Sequence, residues 1–318
     1  MIKAAELGFA KVDQLNTNTA LQGLKTDNRW SQVVTQVSNN ERKAVERKRI
    51  YAERITFRDS SAIIFNPPDE YARKFLYNDD FPFISVNHGH FRLYFQGNSF
   101  AANNLADIKM QLSLAMERVV SVLNIKSYTK GINLVFVDTK EEMNKLTGLS
   151  VSGGLAIPES DVVFLVYNGT RRLQAKHEIF HVVSTKTWGL SKSRLLNEGS
   201  AVFADNECYY DNPIYSINAY LLKQKKTFPL QALINDFDNK ARENDVIAYL
   251  QSAAIFKYLY ENYGIDKLKQ LWVSGFSAFG SIYGFSAKQL EKDWINHIKM
   301  IPPPKEVDLE KLFNEGCG

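Results

Sequence analysis

Cysteine is nearly absent: the 318 residues contain two, Cys208 and the penultimate Cys317. No disulfide framework and no cysteine-ligated metal is expected from so few, and two cysteines do not fix the redox compartment. No apolar run is long enough to span a bilayer. The N-terminal stretch MIKAAELGFAKVD lacks the apolar core of a signal peptide and starts abruptly in helix-like sequence. The expected setting is extracytoplasmic, secreted or periplasmic, with the signal outside this sequence. Charge of one sign is also scarce: 39 basic against 35 acidic side chains leave a net +4. Together with the lack of a basic run interleaved with aromatics, that argues against a nucleic-acid surface. There is no internal repeat and no low-complexity segment.

What the chain does have is a globular composition, 45% hydrophobic and 23% charged, with 12% aromatic residues to build a large core. Its length suits one large domain or two smaller ones. Residues 1–58 read as a polar helical segment, broken at NTNT and KTDN and turning highly charged at ERKAVERKR. From there the texture changes. SAIIFNPPDEY reads as strand then turn, HFRLYF (90–95) as a strand, 105–125 as an amphipathic helix and INLVFVD (132–138) as a strand. TKEEMNKLTG carries a capping box, Thr139 with Glu142, and a stop at Gly148. SGGLAIP and DVVFLVY (161–167) are two further short strands. After Tyr167 helices are expected at about 170–186, 193–206, 213–224, 246–262, 265–274 and 286–299, then a tail, PPPKEVDLEKLFNEGCG, that docks or frays. The fold class is α+β: a small twisted mixed sheet lobe (59–167) followed by a mainly helical lobe (168–318), together a domain over 59–318 behind the 1–58 segment.

Within the first expected helix of that lobe stands KHEIFHVV, which holds two of the chain's five histidines. His177 and His181 are four apart, so a helix stacks them on one face, within reach of a single zinc ion. Glu178 is rotated off that line and can face a water on the metal as general base. The alternative is a buried helix with two hydrogen-bonded histidines. A catalytic zinc needs a third protein ligand, and Glu198, in LLNEGSAVFAD, is the only acid between His181 and Asp205. A carboxylate in an apolar run is costly without a partner, and zinc supplies one. Taken alone, Glu198 also suits an exposed helix start. Gly199 and Ala201 beside it permit close helix contact. The ligand set is therefore His177, His181 and Glu198 on one Zn2+ ion, with Asp205 and Asn197 both open as supporting partners for the histidines. His88 and His90, flanking Gly89, read as exposed loop histidines rather than a second site.

HEIFH followed by NEGSA resembles the gluzincin metallopeptidases. The resemblance extends over about residues 60–300 to the bacterial peptidase MA-like family, through HFRLYF, INLVFVD, SGGLAIP–DVVFLV, AYLQSAAIFKYLYENYGIDKLKQLW and YGFSAKQLEKDW. The spacing from His181 to Glu198 is slightly shorter than in thermolysin-like and aminopeptidase members. The pattern ELGF–VDQL–L–LKTDNRW resembles the end of a tetratricopeptide-type repeat array, a plain helix pair being the alternative. The gluzincin resemblance implies a helical-lobe tyrosine or histidine that stabilises the oxyanion. AYxQS points to Tyr249, with Tyr258, Tyr260 and Tyr263 nearby and His297 the poorer choice. It also implies that the strand at 153–157 lines the cleft, unless that strand is an ordinary sheet edge. The implied activity is zinc-dependent hydrolysis of a peptide or protein substrate. A catalytically silent binding module and a zinc hydrolase of a non-peptide amide or ester stand as alternatives.

Overall fold

The computed structural model describes residues 5, 11–42, 63–149, 153–169, 173–205 and 213–304. Cys208, Cys317, the charged stretch beyond residue 42 and the tail from 305 lie outside the described residues. The chain divides into two compact units, 1–61 and 62–318. In the first, a helix at Val12–Thr17, a 3-10 turn at Thr19–Leu24 and a helix over 30–42 close on Ala5, Leu15, Val33 and Val37. Residues 6–10, part of the tetratricopeptide-like pattern, are outside the described residues.

The second unit starts from a five-stranded mixed sheet in the order β1-β2-β3-β5-β4. β1 (Phe83–His88) and β2 (Phe91–Gln96) form an antiparallel hairpin turning at Gly89, whose φ of 53° suits glycine. β2, β3 (Ile132–Val137) and β5 (Val162–Val166) run parallel, and β4 (Gly154–Ile157) is antiparallel to β5 at the edge. Every residue of β3 and β5 is buried, because both sheet faces are covered and the side chains alternate between them. Leu134, Phe136, Val163 and Leu165 face one core, with helix α2 (Leu105–Val122) and helix α4 (Ala175–Trp188). Val135, Val137, Phe164 and Val166 face another, with α1 (Glu70–Leu76) and α3 (Lys140–Thr147). The expected capping box is present: Thr139 Oγ1 accepts from Glu142 N (3.0 Å), and Glu142 accepts from Thr139 N (3.3 Å).

A mainly helical region follows: α4, α5 (Arg194–Asp205), α6 (Ile214–Lys223), α7 (Leu230–Glu243), α8 (Asp245–Tyr263), α9 (Ile265–Ser274) and α10 (Ala287–Lys299). α8 is apolar nearly all round and is the buried axis of this region. α5 lies tight against it. A β-carbon at Gly199 would sit 2.5 Å from the Ser252 carbonyl oxygen, so only glycine permits this approach.

Three expectations need correction. Among its described residues SAIIFNPPDEY contributes only a bridge, Ile64 to Lys130, and the residues after its prolines open α1, capped by Asp69, whose side chain accepts from Ala72 N (2.7 Å). β1 was not expected; it is half exposed, so its sequence shows little apolar alternation. α7 was not expected either. Leu230, Leu233 and Phe237 are helically spaced and buried, but NDFDNK reads as a loop, and the helix does break at Asp236 (φ −152°, ψ 54°).

Candidate active site

α4 carries the HEIFH residues. Its inner face, Ile179, Phe180, Val182 and Val183, is fixed in the core under the sheet. One turn of helix then places His177 and His181 together, with ring centroids 4.8 Å apart. α5 brings Glu198 to them. His177 Nε2 and His181 Nε2 are 3.1 Å apart, and Glu198 Oε2 lies 3.4 Å from the first and 3.5 Å from the second. An ion with tetrahedral ligands at about 2.0–2.1 Å separates its ligand atoms by about 3.3–3.4 Å. The triangle has that size, and two imidazoles with one carboxylate form a zinc-type donor set. Among the described residues this is the one group of three His, Cys, Asp or Glu side chains placed to share an ion.

The electrostatics match a site built around charge. Burial disfavours the Glu198 carboxylate, but the charge of His181 and hydrogen bonds from both imidazoles outweigh it and hold Glu198 well below the usual carboxylate range. Burial likewise opposes a proton on His177. The bond to Glu198 and the charges of Glu178, Glu198 and Asp205 overcome it, raising His177 to about 9. An incoming cation therefore displaces a proton. Burial raises Glu178, offset in part by the two histidines.

Glu178 is 7% exposed and packs against β4. A β-carbon at Gly154 would fall 2.6 Å from Glu178 Cγ and Oε1. The two glycines ahead of LAI thus have one specific use: Gly154 makes room for the carboxylate. Replacing Gly154 by Ala is expected to cut hydrolysis while zinc uptake stays at the wild-type level, because it displaces Glu178 and not the three ligands; metal content and turnover measured side by side check this. At its other end β4 is pinned as well. Lys186 of α4 pairs with Asp161 (3.0 Å) and donates to the Glu159 carbonyl (3.3 Å) in the turn after β4.

Tyr249, on α8, lies with its ring 6.4 Å from that of His177. Burial and the charge of Glu198 push its phenol above the ordinary tyrosine range, so it stays a neutral donor. The neighbouring tyrosines pack elsewhere: Tyr258 on His297 and Tyr263, and Tyr260 on Phe203 and Phe256. His297 sits among aromatic rings, 4.7 Å from Tyr215. His88 and His90 are corrected from exposed loop residues to part-buried structural ones. His88 Nε2 contacts the Lys109 carbonyl and Ser113 Oγ, both at 2.9 Å, and His90 Nε2 the Tyr128 carbonyl at 2.6 Å. Of the two supporting candidates, Asp205 is 1% exposed and its charge acts on both His177 and Glu178. Asn197 accepts from Ser200 Oγ through its backbone carbonyl (2.9 Å). Gly199 lets α5 approach α8 rather than α4 alone.

Sequence reasoning did not single out Arg194, Asp238 and Phe237. Arg194 Nη1 pairs with Glu198 Oε1 at 2.8 Å, and Phe237 packs on Tyr249 with centroids 5.4 Å apart. The spacing of Arg194 four residues before Glu198 was a readable signal. The other two sit on α7, the unread helix.

A family model of the peptidase MA superfamily matches residues 132–300, more than half of the chain. Among solved structures, an aminopeptidase N family protein from Idiomarina loihiensis is similar, with a TM-score of 0.35 and 12% identity over 74% of this chain. This chain covers 46% of that one, less than half its length. No match is found among curated proteins.

Proposed function

The chain belongs to the peptidase MA superfamily, and from that premise we propose that it is a zinc-dependent peptidase whose ion is held by His177, His181 and Glu198. The observation that carries the reading is the triangle of donor atoms at 3.1, 3.4 and 3.5 Å, with Glu178 buried one residue along the same helix. Zinc, when bound, supplies a water acidic enough to attack at neutral pH and polarises the substrate carbonyl. The protein's own groups do the rest. Glu178 takes the proton from the attacking water and delivers it to the leaving amine; its raised pKa suits it to both roles. Tyr249 donates its phenol hydrogen to the oxyanion that develops on the carbonyl.

The peptide lies along β4. Among the described residues this strand pairs only with β5, and its outer edge can take an extended chain by backbone hydrogen bonds. Gly154 brings that edge against Glu178. No helix of the described residues is long and apolar enough to cross a membrane.

The test is hydrolysis of a mixture of unfolded protein substrates, with metal content assayed in parallel. Cleavage is expected from the zinc-loaded protein, absent after chelation and restored by added zinc. Cleavage that survives removal of the metal would refute the reading.

A further inference from the structure

The two oxygens of Glu198 have different neighbours. Oε2 faces both histidine nitrogens, whereas Oε1 takes Arg194 Nη1 at 2.8 Å. Arg194 stands one helical turn earlier on α5. Its Nε reaches Asp238 Oδ1 at 3.2 Å, so the guanidinium forks between a buried acid, 6% exposed, and a surface acid, 60% exposed. Asp238 follows the break in α7 at Asp236, and the residue between them, Phe237, packs on Tyr249.

We propose that Arg194 is a positioning residue that occupies Glu198 Oε1, leaving Oε2 as the only oxygen offered to the ion. The proposal rests on the zinc reading above. A carboxylate with both oxygens free can grip a cation with two bonds. That second bond would fill the coordination position that a catalytic zinc keeps for water. A guanidinium is well matched to this role, being always charged, planar and directional, and it holds two acids in one fixed geometry. Asp238 keeps the fork aimed, since an arginine half in water would otherwise sample other rotamers.

This role has a signature that a merely structural one lacks. Removing Arg194 removes a positive charge beside the cation and frees a second ligand oxygen. Both changes favour metal binding while hindering turnover. Arg194→Met, which keeps the apolar stem, is therefore expected to bind zinc at least as tightly as wild type in chelator competition. Its kcat is expected to fall about 10–100-fold, the range seen when groups supporting a metal's ligands are changed. In the cobalt(II)-substituted protein the visible absorption is expected to weaken as the ion gains a fifth ligand. Arg194→Lys, which keeps the charge but not the fork, is expected to recover part of the wild-type spectrum.

Arg194→Ala and Arg194→Gln also lack the charged fork, and any variant with wild-type circular dichroism decides the matter. An unchanged cobalt spectrum, or a loss of zinc affinity in step with activity, overturns the role of Arg194 and leaves the peptidase reading standing. Failure of the wild-type protein to take up zinc overturns both.

Discussion

Glu178→Gln is expected to abolish hydrolysis and leave the zinc in place. The amide has the same size, so it fills the same space beside Gly154. The three donor atoms are untouched, and metal content is expected to match wild type. What is lost is the proton acceptor, and general-base contributions of about 10²–10⁴-fold are typical. The substitution also has a sign for stability. Burial raises the Glu178 pKa, so in the zinc-free protein the folded state binds this proton more strongly than the unfolded chain. Stability from this group therefore falls as pH rises from the unfolded value, about 4.3, through the raised folded one. Glutamine carries no such dependence. At neutral pH the zinc-free variant is expected to be as stable as wild type or more so, measured by denaturant unfolding with chelator present. A variant that still cleaves substrate would remove Glu178 from the mechanism.

Glu198→Ala is expected to do the opposite: lose both the metal and stability. Zinc retained by wild type against a chelator is expected to leave the variant. Without its carboxylate the His177 imidazole has lost a bonded partner, and Arg194 has lost its buried one. Removing one partner from a buried charge pair costs about 3–5 kcal/mol. Part of this is offset here, because Arg194 is half exposed and can turn to Asp238 and water. Denaturant midpoints of the two variants, compared without metal, separate the roles. Glu178 sits in the site at a cost to the fold, whereas Glu198 is part of what holds α4 and α5 together.

How much of this was legible follows from where the signals lie along the chain. His177 and His181 are a local pair, and helical periodicity alone puts them on one face. Glu198 stood out because a lone acid in an apolar run needs a reason. Thr139 with Glu142 was equally local. The contact of Gly154 with Glu178 spans two elements far apart in sequence, and no spacing encodes it. Asp238 and Phe237 were out of reach for a different cause. α7 breaks at Asp236, and a helix with a non-helical residue in its middle presents turn-like sequence. β1 is hidden from periodicity because a half-exposed strand shows little apolar alternation. The burial of His88 and His90 is not readable locally, because their partners, Lys109 and Tyr128, come from distant segments.

The pairing of Lys186 with Asp161 bears on how the cleft tolerates motion. Gly154 lies close against Glu178 at one end of β4, and Asp161 pairs with Lys186 beyond the other, so strand and helix run in the same sense, in close contact at one point and tied by an ion pair at the other. The gap between cleft edge and carboxylate is set by where the strand sits along the helix. Only sliding of one along the other would alter that gap, and the ion pair resists sliding. A peptide laid on β4 would thus keep its distance from the base while the rest of the lobe breathes.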